Sequence, residues 1–371
     1  MYRDDFLQQK LNERKAQDAF RVLRVQEGKA DFCSNDYLGI AHRLLLKENG
    51  LSAGSTGSRL LAGNWPIMER VEQEIAAFHQ AEAALLFNSG YDANLGLLSS
   101  VPQKGDTIIY DQLSHASIRD GIRLSFAQAF SFAHNDLHDL QKKLQAATGN
   151  VFIVTESVFS MDGDTCALKE LIAIAKQYNA HLIIDEAHAT GVIGKRGEGL
   201  VQTEELQDQI FARIHTFGKA VGCHGAVVLG SAQLRDYLIN FARSLIYSTA
   251  LSPAAVGTIQ QAYQLFPAMD AERAVLQEWI QQLTSARLKY SLMPSTTAIQ
   301  PLLVPGNKEA RLLAQQLQDA GLDVRPILYP TVPKGAERLR IVLHAFNTQQ
   351  EINALIQALS KTFCIDKLAL R

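Results

Sequence analysis

The sequence predicts an α/β fold: a large domain with a mainly parallel sheet flanked by helices, followed by a smaller C-terminal α+β domain. Two observations support this prediction. Between about residues 50 and 250, short apolar runs alternate with stretches of helical periodicity, as in parallel sheets covered on both faces. After Pro253 the alternation ends, and helical patterns dominate. The length of 371 residues suits a chain of two or three domains.

In the large domain, the strands are predicted from short apolar runs at residues 84–87, 107–110, 151–155, 181–184, 211–214 and 225–229. A helix begins near Asn64, because Pro66 suits the first helical position and apolar residues then recur on one face. Another begins at Asn135 or Asp136. Ligands of such sheets bind beyond the carboxyl ends of the strands, so functional residues are expected there.

The C-terminal part is predicted to contain helices over about 254–290, strands at 298–304 and 338–343, a helix over about 307–320, and a last helix after Thr348. The first 30 residues are polar and compatible with a helix. We therefore predict three parts: an N-terminal arm at 1–45, a large ligand-binding domain at 46–255 and a small domain at 256–371.

Composition excludes several classes of protein. The formal charge is −2 and the isoelectric point about 6.6, which argues against nucleic acid or an acidic membrane surface as a partner. The chain has no apolar run long enough to span a bilayer and no signal-peptide core, so we expect a cytoplasmic protein. Its four cysteines lack CxxC spacing, and its ten histidines include no HExxH pattern, so no metal site is predicted.

Lys219 and Asp185 form the most informative pair of residues. Asp185 closes the apolar run at 181–184, and Lys219 lies in the segment after the next predicted strand. A lysine amine can form a Schiff base with the aldehyde of pyridoxal 5'-phosphate (PLP), and an aspartate can pair with its protonated ring nitrogen. Alone, either residue could be a surface lysine or a strand-end cap, so the other motifs must decide.

Further candidate residues follow other predicted strands. The small-residue turn at 88–91 opens a helix and could bind a phosphate through backbone N–H groups, and its Tyr91 could close over a cofactor. His115 could stack on a pyridine ring, and Thr216 could bind the phosphate three residues before Lys219. Each motif also has a purely structural interpretation. The remaining candidates for cofactor contacts are Ser89, Gly90, Glu156, Ser160, His188, Ser248 and Thr249.

Arg340 is a candidate for binding a substrate carboxylate bidentately. Taken alone, it would be a charge on the surface of a strand. The glycine-rich segment at 54–59 has no clear strand before it and lacks the GKT or GKS of a Walker motif, so a nucleotide-binding interpretation is not supported.

Together these motifs resemble those of the α-oxoamine synthases, a family of fold-type I PLP enzymes. The resemblance runs from about residue 30 to about 350 and includes Asn-Asp-Tyr-Leu-Gly at 35–39, Ser-His-Ala-Ser at 114–117, Val-Phe-Ser-Met-Asp-Gly at 158–163, Asp-x-x-His at 185–188, Thr-Phe-Gly-Lys at 216–219 and Tyr-Ser-Thr at 247–249. The chain carries Glu186 and Ala189 where many relatives have Asp and Gly.

The resemblance implies a homodimer with active sites at the subunit interface, where Ser248 and Thr249 serve the neighbour's cofactor. It implies catalysis by Lys219 and His115, and alanine binding by Arg340. Phrases at 132–136, 298–301 and 330–333 favour the member that condenses L-alanine with a pimeloyl thioester, carried by CoA or acyl carrier protein, in biotin biosynthesis.

Three alternatives remain at this point. Another α-oxoamine synthase could use glycine with acetyl-CoA, or serine with a long acyl-CoA. A non-catalytic partner subunit of the same fold would have no need of Lys219. A generic α/β nucleotide-binding protein would have to carry five such motifs, each after a strand, by coincidence.

Overall fold

The computed structural model describes residues 6–23 and 28–361. Twelve strands form within these residues: β1 (Ala30–Asp31), β2 (Ala83–Phe87), β3 (Thr107–Asp111), β4 (Gln128–Phe132), β5 (Val151–Glu156), β6 (His181–Asp185), β7 (Ala212–Thr216), β8 (Ala226–Gly230), β9 (Ile299–Leu303), β10 (Leu322–Asp323), β11 (Arg325–Ile327) and β12 (Arg338–Val342).

Thirteen α-helices form in the same described ranges: α1 (Phe6–Ala16), α2 (Pro66–Phe78), α3 (Gly90–Ser100), α4 (Ala116–Leu124), α5 (Leu137–Leu144), α6 (Leu168–Gln177), α7 (Leu200–Thr203), α8 (Ala232–Phe241), α9 (Arg243–Ile246), α10 (Pro253–Leu265), α11 (Asp270–Ser285), α12 (Asn307–Asp319) and α13 (Gln349–Ser360). Short 3-10 turns occur at Gln207–Gln209 and Phe266–Ala268. None of the helices described is both long enough and apolar enough to cross a membrane.

The chain forms two compact units. The larger comprises Leu38–Ser160 and Thr165–Arg273, and the smaller comprises the described residues up to Tyr37, Met161–Asp164 and those from Ala274 onward. This grouping places residues 256–273 with the large sheet. The three-part division at 45 and 255 stays a prediction.

A seven-stranded sheet forms the centre of the larger unit, in the order β2-β8-β7-β6-β5-β3-β4. Neighbours from β7 to β4 are parallel, whereas β8 runs antiparallel to both β2 and β7. The prediction of a mainly parallel sheet is therefore confirmed. The strand β4 was not predicted, because four of its five residues are exposed and it lies at the sheet edge, where no apolar run is needed.

Helices cover both faces of the inner strands of this sheet, whose successive side chains point to opposite faces. Ile108 and Ile183 pack on one face with residues of α3, α4 and α8, whereas Ile109 and Ile184 pack on the other face with residues of α5 and α6. Helices on both faces leave the strand ends open, which is where a ligand can bind.

In the smaller unit, β9, β12 and β11 form an antiparallel sheet in the order β11-β12-β9, and β1 pairs in parallel with β10. The last helix, α13, starts with a capping box in which Thr348 and Glu351 satisfy each other's backbone N–H groups. A small unit of helices beside an antiparallel sheet matches the predicted α+β character.

Candidate active site

The carboxyl ends of three parallel strands bring together Glu156 on β5, Asp185 on β6 and Thr216 on β7. Glu156 and Asp185 are direct partners across the β5–β6 pair, and Asp185 is paired with Ile214 of β7. The residues predicted at three separate strand ends therefore share one edge of the sheet, as parallel pairing requires.

Asp185 is a buried carboxylate with two hydrogen bonds. Its side chain is nearly inaccessible, and its Oδ1 accepts from the backbone N–H of Ala187 at 2.9 Å. Its Oδ2 accepts from the side-chain amide of Asn94 on α3 at 2.7 Å. These donors hold the carboxylate in one orientation, so it is prepared to pair with a cationic ring nitrogen.

Glu156, beside Asp185, is also buried, and its Oε1 accepts a 2.6 Å hydrogen bond from the backbone N–H of His115. Burial raises the pKa of Glu156 to about 8, with a further contribution from the charge of Asp185, while the positive charge of Lys219 opposes this shift. At neutral pH this edge of the sheet therefore holds Glu156 in its protonated form.

His115 caps the start of α4. Its Nδ1 accepts from the backbone N–H of Ser117 at 3.2 Å and lies 2.7 Å from the hydroxyl of the same serine. The residue as a whole is exposed, but protein atoms around the ring desolvate it and lower the pKa of His115. The nearby charge of Lys219 also lowers this pKa, whereas the charge of Asp185 raises it. At neutral pH the imidazole is uncharged.

Lys219 lies three residues beyond the end of β7, in the bend that follows it, and is partly exposed. Its backbone carbonyl accepts from the N–H of Gly222, which has a left-handed φ of 69°. A Cβ at Gly222 would meet Ile40 at 2.7 Å, so both the turn and the packing require glycine there. The bend thereby places the lysine where its charge acts on both His115 and Glu156.

The turn between β2 and α3 faces the end of β7. Ser89 is the N-cap of α3, and a Cβ on Gly90 would collide with the methyl group of Thr216. The Thr216 hydroxyl is buried and has no hydrogen-bond partner among the described residues. A buried hydroxyl of this kind needs an acceptor or donor, and a phosphate beside the N-terminus of α3 would supply one.

Four other predicted residues lie near these elements. His188 is buried in the turn after β6. Tyr91 is exposed, and its hydroxyl bonds to Asp120 of α4. Ser248 is partly buried and Thr249 exposed, and the Thr249 backbone carbonyl accepts from the side chain of Asn88 at 2.8 Å, which places this segment beside the β2–α3 turn of its own chain.

Ser160 and Arg340 are the two remaining predicted residues. Ser160 follows β5 by four residues and is partly buried. Arg340 belongs to the smaller unit, where it is buried on β12 and donates to Asn35 Oδ1 at 3.0 Å. The Tyr37 hydroxyl donates to the same oxygen at 3.2 Å. Arg340 is thus held by its neighbours, and its role in binding a carboxylate stays a prediction.

Sequence reasoning missed two residues of the cluster, Asn94 and Ser117. Asn94 bonds both Asp185 and the Ser117 hydroxyl, which in turn contacts His115. A signal was present, because Asn94 is a lone amide among apolar residues of a helix that starts at the predicted phosphate turn. Its partners could not be predicted from spacing, because they come from two other elements, β6 and α4.

Comparison with known proteins identifies the family. Residues 27–359 match the model of the family described as "Aminotransferase class I and II". The chain is 41% identical over 393 residues to the 8-amino-7-oxononanoate synthase of Emericella nidulans, covering 96% of this chain and 95% of that protein. It is 42% identical over 342 residues to the enzyme of the same name from Marinobacter nauticus, covering 89% and 86%.

The chain belongs to the aminotransferase class I and II family. Among solved structures, a serine palmitoyltransferase from S. paucimobilis with bound PLP matches with a TM-score of 0.85 at 28% identity, covering 96% of both chains. The 8-amino-7-oxononanoate synthase of Francisella tularensis matches with a TM-score of 0.77 at 30% identity, covering 90% of this chain and 98% of that one. The predicted fold type, family and PLP cofactor are confirmed: this is an α-oxoamine synthase that uses PLP.

The residues at this edge of the sheet fit that cofactor. Asp185 offers a buried carboxylate for the ring nitrogen, and Lys219 offers an amine for the aldehyde. The unsatisfied Thr216 hydroxyl, beside Gly90 and the N-terminus of α3, offers a place for the phosphate. These three features match the three chemical groups of PLP that a protein must bind, its ring nitrogen, aldehyde and phosphate.

Proposed function

We propose that the chain is an 8-amino-7-oxononanoate synthase. It condenses L-alanine with a pimeloyl thioester, releasing CO₂ and the thiol, and so supplies biotin biosynthesis. The observation that carries this proposal is the identity of 41% along 96% of the chain to a protein of that name, with the residues for PLP present at the sheet edge.

The proposed roles follow from the site. When bound, PLP withdraws electrons from the Cα of the amino acid. Lys219 would hold the cofactor through Nζ, and its amine would accept the Cα proton. Asp185 orients the ring and keeps its nitrogen protonated, while the neutral Glu156 beside it adds no second negative charge. His115 would contact the cofactor and donate a hydrogen bond to the incoming acyl oxygen.

Arg340 binds the alanine carboxylate in this proposal. A guanidinium presents two parallel N–H groups to a carboxylate and therefore fixes both its position and its plane. The bond from Arg340 Nη2 to Asn35 Oδ1 orients the guanidinium. Orientation of the carboxylate decides which bond at Cα is weakened.

A groove in the smaller unit supports the choice of a dicarboxylic acyl group. Its volume is about 820 Å³, and apolar side chains, among them Phe20, Val22 and Leu328, line it together with Arg14 and Arg21. An acyl chain that ends in a carboxylate needs both an apolar wall and a cation. We propose that the pimeloyl chain lies there, with its carboxylate near Arg21, whose guanidinium also donates to the Thr331 hydroxyl at 3.1 Å.

The decisive experiment offers the purified protein three amino acids and several acyl donors. L-Alanine, glycine and L-serine are each combined with pimeloyl-CoA, pimeloyl-acyl carrier protein, acetyl-CoA and palmitoyl-CoA, and the products are identified by mass. We expect turnover with L-alanine and a pimeloyl thioester. Arg21→Ala should raise the KM for the pimeloyl donor and leave the KM for L-alanine unchanged, whereas Arg340→Ala should do the reverse.

A second candidate function is condensation of L-serine with a long acyl-CoA. The TM-score of 0.85 to a serine palmitoyltransferase favours it. Product from L-serine and palmitoyl-CoA, with none from L-alanine, would replace the proposed substrates and keep the reaction class. Product from glycine and acetyl-CoA, with none from L-alanine, would likewise replace the proposed substrates and keep the reaction class.

We also propose that the enzyme works as a homodimer with shared sites. The segment from Leu44 to Trp65 of the larger unit exposes several large apolar side chains, including Leu44 at 84% and Leu61 at 83%, a surface that suits a second copy of the chain. Mixing inactive Lys219→Ala protomers with inactive Thr249→Ala protomers tests this. Restored activity on subunit exchange would support sites built from two chains, and a monomer by light scattering would refute the dimer.

A further inference from the structure

Asn94 is joined to two of the proposed catalytic groups by hydrogen bonds. Its side-chain nitrogen lies 2.7 Å from Asp185 Oδ2 and 3.1 Å from the Ser117 hydroxyl, and that hydroxyl lies 2.7 Å from His115 Nδ1. Asn94 and Ser117 are each about 1% exposed. A chain of four side chains, three of them buried and the fourth His115, therefore connects the carboxylate at the end of β6 with the imidazole at the start of α4.

The orientation of the Asn94 amide follows from chemistry. An ionised carboxylate only accepts hydrogen bonds, so the NH₂ group of Asn94 must face Asp185. The same nitrogen has a second hydrogen, and the Ser117 hydroxyl lies within its reach at 3.1 Å. Both amide hydrogens are thus used, one on Asp185 and one on the oxygen of Ser117.

The hydrogen bonds also determine which ring nitrogen of His115 carries the hydrogen. The backbone N–H of Ser117 can only donate, and it points at His115 Nδ1 from 3.2 Å. Nδ1 must then present its lone pair, so the ring hydrogen of the neutral imidazole is on Nε2. The Ser117 hydroxyl, which accepts from Asn94, is left free to donate its own hydrogen to Nδ1.

We propose that Asn94 is a positioning residue that fixes Asp185 and, through Ser117, holds His115 in the tautomer with its hydrogen on Nε2. A hydrogen on Nε2 is what His115 needs in order to donate to an acyl oxygen. Asn94 thereby couples the residue that orients the cofactor ring to the residue that contacts the acyl group. The tautomer is a property of the chain alone, and only its catalytic consequence rests on the proposed function.

The test measures the His115 tautomer directly. The holoenzyme is labelled with ¹⁵N-histidine, and multiple-bond ¹H–¹⁵N spectra at pH 8 report Nδ1 and Nε2, with a His115→Gln spectrum assigning the signals. Charged groups around the ring are Asp185, Lys219, Arg119, Asp120 and, through the backbone, Glu156. At pH 8 the lowered pKa of His115 keeps the ring neutral, so the tautomer is observed without protonation of both nitrogens.

Variants of Ser117 and Asn94 distinguish the effect on the His115 tautomer from the effect on PLP binding through Asp185. Wild type should show the hydrogen on Nε2. Ser117→Ala should raise the fraction with the hydrogen on Nδ1 about fivefold, as expected for the loss of one hydrogen bond, and leave PLP affinity unchanged. Asn94→Ala should raise that fraction similarly and also weaken PLP binding about tenfold, because Asp185 loses a charged hydrogen bond. The double variant should match Asn94→Ala, because Asn94 acts on His115 only through Ser117.

Ser100→Ala is the matched control, because Ser100 is a buried serine on the same helix as Asn94 and its hydroxyl donates to the backbone oxygen of Gly96. It should change neither the tautomer nor PLP affinity. A wild-type hydrogen on Nδ1, or additive effects of the two substitutions on the tautomer, would overturn the proposal. Ser117→Ala removes a single oxygen, so it tests the tautomer even where Asn94→Ala fails to fold. If the variants change the His115 tautomer as expected but the protein does not turn over L-alanine and a pimeloyl thioester, only the proposed substrates are contradicted.

Discussion

Glu156→Gln should remove a pH dependence from the stability of the cofactor-free protein. Burial, aided by Asp185, raises the pKa of Glu156 from its ordinary 4.5 to about 8. The folded chain therefore holds a proton there that the unfolded chain has already released. Stability from this proton is fully present below pH 4.5 and is lost as the pH rises through 8. Glutamine keeps an oxygen for the His115 backbone N–H and does not titrate.

The size of this pH dependence follows from the linkage between proton binding and folding. One proton bound only by the folded state changes the free energy of unfolding by about 1.4 kcal/mol for each pH unit in the window. Between pH 5 and pH 7, wild type should therefore lose about 3 kcal/mol relative to Glu156→Gln. The difference between the two proteins isolates Glu156, because every other titrating group is common to both.

Urea unfolding at pH 5, 6, 7 and 8, followed by far-UV circular dichroism, measures this difference. Glu186→Gln is the matched control, since Glu186 is a second buried glutamate whose pKa burial raises to about 7. The difference in unfolding free energy between wild type and Glu186→Gln should have the same sign but stop changing near pH 7. The difference for Glu156→Gln should continue to change up to pH 8. A constant difference between wild type and Glu156→Gln across this range would show that Glu156 is ionised in the folded protein.

Three further predictions concern PLP and the substrate. Lys219→Ala should abolish the visible absorbance of the PLP–lysine adduct, and an unchanged spectrum would exclude Lys219 as its attachment point. Gly90→Ala should weaken PLP binding about tenfold, because its Cβ would displace Thr216, whose hydroxyl is proposed to bind the phosphate; a fluorescence titration measures this. Arg340→Ala should raise the KM for L-alanine at least about tenfold with little loss of PLP, and steady-state kinetics with a cofactor titration would contradict this if alanine binding were unaffected.

The strands of the large sheet could be predicted because each inner strand is covered on both faces and so reads as a short apolar run. The predicted run at 181–184 and the observed β6 at His181–Asp185 differ by one residue. The edge strand β4 could not be predicted in this way, because residues Gln128 to Ser131 are exposed. The antiparallel direction of β8 also leaves no mark in its sequence, since a buried strand is apolar whichever way it runs.

Some residues of the candidate site could likewise be predicted from the sequence, whereas the contacts between them could not. Asp185, Glu156 and Thr216 could be proposed because position at a strand end is a property of sequence order. The link from Asn94 to Ser117 joins two helices whose registers depend on packing, and neither spacing nor composition encodes that contact. The elevated pKa of Glu156 likewise depends on its depth and on the charge across the β5–β6 pair.

Two carboxyl groups on paired strand ends are expected to repel one another if both are charged, and the site assigns them different hydrogen-bond partners. Asp185 accepts two hydrogen bonds, one from the side-chain amide of Asn94 and one from a backbone N–H. Glu156 accepts one hydrogen bond from a backbone N–H. Burial and the nearby charge of Asp185 raise the pKa of Glu156 to about 8, so the proton belongs on Glu156. A cationic ring nitrogen beside Asp185 then meets a single counter-charge in a fixed position. Asn94 contributes to that division, because removing its amide weakens the preference of the charge for Asp185 over Glu156.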